Sequence, residues 1–137
     1  MVDRAGNAAR MESVGIKRQI HRYDPKRDRF LVAGNCPHEG RDGFFCIGPD
    51  WGWAANTMLR ERLLEELAGS KVGRISLKDA FSLMETHAAG GMCQHLFDNV
   101  GRLQTSNSFL AVCRTSDLWL SQGPPCRVRY YRFTLKD

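Results

Sequence analysis

Two capped amphipathic segments, followed by turn-punctuated apolar runs, constrain this chain most. Ala55, Met58, Leu59, Leu63 and Leu67 recur at three- and four-residue intervals, the spacing of one helical face. Glu61, Arg62, Glu65 and Glu66 fall on the other side, and Gly69 is placed as a C′ residue. Ser76 then opens a second helix, with Asp79 three residues on as a variant capping box. Leu77, Ala80, Phe81 and Met84 form its apolar face, and Ala88 to Gly91 ends it. Upstream, Phe30–Ala33 and Phe44–Ile47 are short apolar runs suited to buried strands.

The last third changes period. Phe109–Cys113, Leu118–Ser121 and Cys126–Leu135 are separated by Thr115-Ser116-Asp117 and Gly123-Pro124-Pro125, which predicts a three-stranded antiparallel meander. The fold class is therefore α+β: about five strands, including the C-terminal meander, packed with two or three helices. Residues 3 to 22 carry enough alanine and spaced apolar positions to be helical in part, interrupted at Gly15 and ended at Tyr23-Asp24-Pro25. A length of 137 residues suits a single domain. Within 1–137, residues 1–28 form a basic N-terminal segment, 29–101 an α/β core and 102–137 a β-rich end.

No run approaches the ~20 apolar residues of a membrane span. The N-terminus carries charges where a signal peptide needs an apolar stretch. Five scattered cysteines do not frame a disulfide scaffold. Together these predict an intracellular protein, cytoplasmic or nuclear, with reduced thiols and no membrane partner.

Charge is distributed unevenly. The net +5 concentrates in Lys17, Arg18, Arg22, Lys26, Arg27 and Arg29, with a second strip of Arg127, Arg129 and Arg132 among aromatic residues. Alternation places Arg127, Arg129, Tyr131 and Phe133 on one strand face, and Val128, Tyr130 and Arg132 on the other. Phosphate contacts come chiefly from Lys and Arg, and rings such as Tyr131 and Phe133 stack on bases. The favoured partner is accordingly nucleic acid, RNA or single-stranded DNA, or another anionic macromolecule. An ordinary half-buried strand has the same pattern, and a protein partner is the other possibility.

Two Cys-x-His pairs, Cys36-Pro-His38 and Cys93-Gln-His95, together supply the four donors of a tetrahedral zinc site. Cys36, His38, Cys93 and His95 are therefore the candidate metal ligands of a zinc-stabilised interaction module. Buried reduced cysteines beside unrelated histidines are the competing explanation. Cys93 can also meet His87 across the Gly90-Gly91 turn, although no specific nucleophile motif surrounds either. His38-Glu39 lacks the Pro-Cys-x-x-Cys that a zinc deaminase requires. Gly40 to Gly43 and Gly90-Gly91 fit neither the P-loop nor the dinucleotide fingerprint. Cys46 belongs in the core, and Trp51 and Trp53 pack at the entrance to the first helix. No catalytic residue is assigned, and zinc is the one cofactor considered.

Four segments carry a family likeness: RFLVAG, NTMLRERLLEELAG, GRISLKDAFSLMETH and QHLFDNVG. In this order, the stretch from Arg29 to Gly101 resembles the second half of a caspase-like or legumain-like cysteine peptidase domain. The resemblance implies a strand, a substrate-side loop, a helix ending in Leu-x-Gly, and an Ile-Ser-Leu-x-x-Ala-Phe helix. Leu96 stands where that pattern has a proline. The family's catalytic His-Gly and Cys would lie before Arg29, where this chain has His21 but no cysteine. The resemblance therefore implies a half-domain or degenerate relative that contributes a substrate or partner surface.

Overall fold

The computed structural model describes residues 2–3, 5–14, 17–28, 30–32, 51–87, 90–95 and 104–135. It is α+β, with five strands in two antiparallel sheets and two α-helices among these residues. The N-terminal sheet is a hairpin of β1 (Ala9–Val14) and β2 (Lys17–Arg22), in register from Ala9 opposite Arg22 to Val14 opposite Lys17. This overturns the expected partial helix over 3–22. Met11 pairs with Ile20 across the hairpin, and cross-strand pairing organises a segment whose helical period is broken at Gly15. Arg10 ties the hairpin to the following chain by donating to the Val32 carbonyl at 3.1 Å.

Phe30 to Val32 is not in a strand, correcting the first expected core strand. The Phe30 ring instead lies 3.3 Å from where a Cβ on Gly69 would sit. Residues 33–50, which include the expected Phe44–Ile47 strand with Cys46 and the Gly40–Gly43 segment, lie outside the described residues, as do the Trp51 and Trp53 side chains.

Helix α1 runs Trp51–Gly69. It includes Gly69 in its last turn, so this residue is not the expected left-handed cap. Its buried positions also depart from the expected stripe: Asn56, Thr57 and Glu61 are buried, whereas Met58 and Leu59 are exposed. Asn56 on this face makes the polar contacts described below. Helix α2, Leu77–Met84, has the expected start. The Ser76 hydroxyl accepts the Asp79 N–H at 3.1 Å, and the Asp79 carboxylate accepts the Ser76 N–H at 2.9 Å. Lys71 pairs with Asp79 and braces the same turn. The helix stops at Met84, four residues before the expected end, and releases Thr86 and His87 into an irregular segment.

The C-terminal meander is present as β3 (Asn107–Val112), β4 (Asp117–Gln122) and β5 (Tyr130–Thr134), in the order β3-β4-β5. A 3₁₀ turn, Cys113–Thr115, joins the first two strands. Pairing registers place Ser108, Ser121 and Tyr130 in one row and Leu110, Trp119 and Arg132 in the next. This face packs on α2: Phe81 meets Trp119 edge-on at 5.5 Å and lies 4.7 Å from the Tyr130 ring. Arg132 also belongs to the packed face. Its guanidinium sits 5.7 Å over the Trp119 ring and donates twice to Asp117, at 3.0 and 2.9 Å. No helix among the described residues is long and apolar enough to cross a membrane.

Candidate metal centre

The early end of α2 creates the first part of the site. Thr86 donates to the Leu83 carbonyl, while its own hydroxyl and carbonyl accept the Met92 and Cys93 N–H groups. These bonds bring Met92 and Cys93 back against Thr86 as a knuckle, with His87 at one limb and Cys93 at the other. Gly90 makes the fold possible, because its φ is +78° and a Cβ there would lie 2.5–2.7 Å from Leu59 and Arg60. Only glycine combines that backbone conformation with this approach to α1.

Thr105 holds the next two residues. Its hydroxyl accepts the Gln94 N–H at 2.9 Å and donates to the Met92 carbonyl, and its N–H donates to Gln94. The buried Gln94 amide donates to Asn56 Oδ1 at 2.7 Å, an oxygen that also accepts from Arg60. This accounts for the buried Asn56 on α1: the helix anchors the knuckle through it. Cys126 arrives from the opposite direction. Pro124 to Arg127 form a turn closed by the Arg127 N–H on the Pro124 carbonyl, so Cys126 precedes β5 instead of lying within the expected 126–135 strand.

His87, Cys93, His95 and Cys126 consequently converge, with their donor atoms all within 4.8 Å of one another. The two imidazole Nε2 atoms are 3.1 Å apart, and the two sulfurs 3.4 Å. Cys126 Sγ lies 3.3 Å from His87 Nε2 and 3.2 Å from His95 Nε2, and Cys93 Sγ lies 3.7 Å from His95 Nε2. A tetrahedral zinc with its usual bond lengths requires edges of about 3.4 Å for N–N, 3.6 Å for N–S and 3.8 Å for S–S. Four of these five separations fall slightly inside those edges, and the Cys93–His95 separation of 3.7 Å lies just outside its own. The rings of His87 and His95 stack 11° from parallel with their centroids 5.2 Å apart.

The cluster could therefore hold a metal ion, and the two thiols and two imidazoles suit zinc. Cys93 and His95 are buried, while His87 and Cys126 are exposed at the rim. Burial pushes the Cys93 thiol above its ordinary range, and a bound cation is what would favour its thiolate.

Two of the four ligands expected from sequence, Cys93 and His95, are thus in the cluster. Cys36 and His38 lie outside the described residues. The anticipated approach of His87 to Cys93 occurs, but as half of a four-donor group. Cys126 carried no signal of its own beyond the Pro-Pro turn that lifts it out of the strand. Of the basic candidates, Arg22, Lys26 and Arg27 are exposed on or beside the hairpin, while Arg127 and Arg129 are exposed before β5. Arg29 and the Lys17 and Arg18 side chains are outside the description. Tyr131 and Phe133 share the solvent face of the meander, opposite Arg132.

Comparison with known proteins finds no matching family model, no matching curated protein and no matching solved structure.

Proposed function

We propose that this chain is a zinc-stabilised, noncatalytic binding module. The convergence of His87, Cys93 and His95 from the knuckle after α2 with Cys126 from the turn before β5 carries this reading. A catalytic zinc keeps a coordination position for water or substrate, whereas four protein donors close the shell. The proposed ion staples the knuckle after α2 to the turn before β5. It fixes the helical layer against the meander and leaves the sheet's other face available to a partner.

Native mass spectrometry of the purified chain tests the proposal against the denatured mass. The expected result is one zinc ion per chain, lost in Cys93→Ser and Cys126→Ser. Cobalt(II) in its place should give the thiolate-to-metal charge-transfer bands of a two-sulfur site. A folded chain that carries no zinc, takes up none when it is added, and melts identically with a chelator present would overturn the proposal.

A further inference from the structure

The solvent face of the meander is a feature that the metal site does not absorb. Register places Phe109, Leu120 and Tyr131 in one row, and Ala111, Leu118 and Phe133 in the next. Phe109, Leu120, Tyr131 and Phe133 are 65%, 37%, 62% and 51% exposed. An antiparallel sheet commonly turns a polar face to water, so this alternation is inverted: Ser108, Ser121 and Asp117 are buried while aromatic rings face out. A continuous exposed apolar surface of this kind marks a binding site.

Charge identifies the occupant. Between residues 104 and 135 the sole acid is Asp117, and both of its oxygens are engaged by Arg132, Thr115 and Thr134 on the packed face. Arg114, in the turn between β3 and β4, and Arg127 and Arg129, before β5, are exposed cations with no acid of the meander left to offset them. An apolar protein partner has no need of this excess of positive charge. A polyanion that also carries flat apolar rings uses both features. Tyr131 and Phe133, two residues apart, stand about 6.8 Å from each other, roughly twice the 3.4 Å step of stacked bases. Each ring therefore offers its face to a base separated from its neighbour.

We infer that the outer face of β3-β4-β5 binds single-stranded nucleic acid, stacking bases on Phe109, Tyr131 and Phe133 and pairing phosphates with Arg114, Arg127 and Arg129. This rests on the zinc-held module as the frame that presents the sheet. DNA and RNA share the recognised chemistry, and a 2′-hydroxyl preference would separate them.

The test titrates zinc-loaded full chain into fluorescein-labelled oligo(dT) and oligo(U), with a duplex of equal length as control, following anisotropy. Binding should favour the single strands. Log affinity should fall against log salt with a slope of about −2 for three phosphate contacts. Tyr131→Ala and Phe133→Ala should each weaken binding roughly tenfold, and Tyr131→Trp should retain it. These side chains are exposed, so zinc content and circular dichroism should match the parent.

Three outcomes overturn the inference: no binding at low salt; equal affinity for duplex and single strands; or binding indifferent to both alanine changes. A concentration-dependent dimer abolished by Tyr131→Ala, with no oligonucleotide bound, would assign the face to self-association instead. Because zinc is measured in the same samples, a zinc-loaded chain that ignores oligonucleotides sinks this inference alone. A chain without zinc sinks the reading beneath it.

Discussion

Gly90 shows how much of the candidate centre depends on one missing side chain. Its left-handed φ and its approach to the Leu59–Arg60 backbone let the knuckle bend over α1, which sets the distance from His87 to Cys93. Gly90→Ala introduces both backbone strain and a steric overlap that the helix backbone cannot relieve by rotamer change. Left-handed strain of roughly 1–2 kcal/mol and overpacking of roughly 1–3 kcal/mol predict a loss of about 2–5 kcal/mol. Urea denaturation of the two proteins measures it, and zinc retention should weaken in parallel. The sequence marked Gly90-Gly91 as a turn and allowed His87 to meet Cys93 across it, so this half of the cluster was legible. Cys126 was not, because residues 33 apart are brought together by sheet register and helix packing, neither of which has a local signature.

Within the meander, Asp117 ties three parts together: the turn through Thr115, β5 through Arg132 and Thr134, and its own strand β4. Arg132 beside it, then the two hydroxyls, hold its carboxyl well below the usual carboxylate range. A depressed folded-state pKa contributes stability that is complete above the unfolded value of about 3.9 and is lost as pH falls toward the folded value. Asp117→Asn should therefore lower the urea midpoint at pH 7, and the gap from the parent should narrow progressively below about pH 4. Comparing the two proteins cancels losses common to both, including those from Asp79, whose pairing with Lys71 and hydrogen bonds from Ser76 depress it likewise. A gap that stays constant down to pH 2.5 would show that Asp117 does not act through its charge. Elements with local chemistry were readable in the same way: the Ser76–Asp79 box and the turn signals between strands each encode a boundary. The N-terminal hairpin was misread because its alanines favour helix by propensity, whereas pairing such as Met11 with Ile20 is decided across strands.

At the level of the molecule, the described residues bury little apolar side chain. Cys93 is the only hydrophobic side chain buried among them, beside eight polar ones including Asn56, Gln94 and Ser121. Phe81, Trp119 and Tyr130 cluster but remain half-exposed. Among the described residues such packing gives a small hydrophobic driving force, and a metal crosslink is one physical means of supplementing it. The crosslink joins the knuckle to the turn before β5, so its loss should not be felt evenly. Hydrogen exchange on zinc-loaded and chelator-treated chain, read peptide by peptide, tests this directly. Protection should fall by an order of magnitude or more over 86–95 and across β3 to β5, where backbone hydrogen bonds depend on the staple. The β1-β2 hairpin carries its own pairing and contributes no donor to the cluster, so its exchange should change little. Uniform loss of protection would instead mean that zinc supports one cooperative unit, and the hairpin would then depend on the centre through the contact of Arg10 with Val32. No change anywhere would mean that the converged side chains stand without an ion, through hydrogen bonds among the imidazoles and thiols alone.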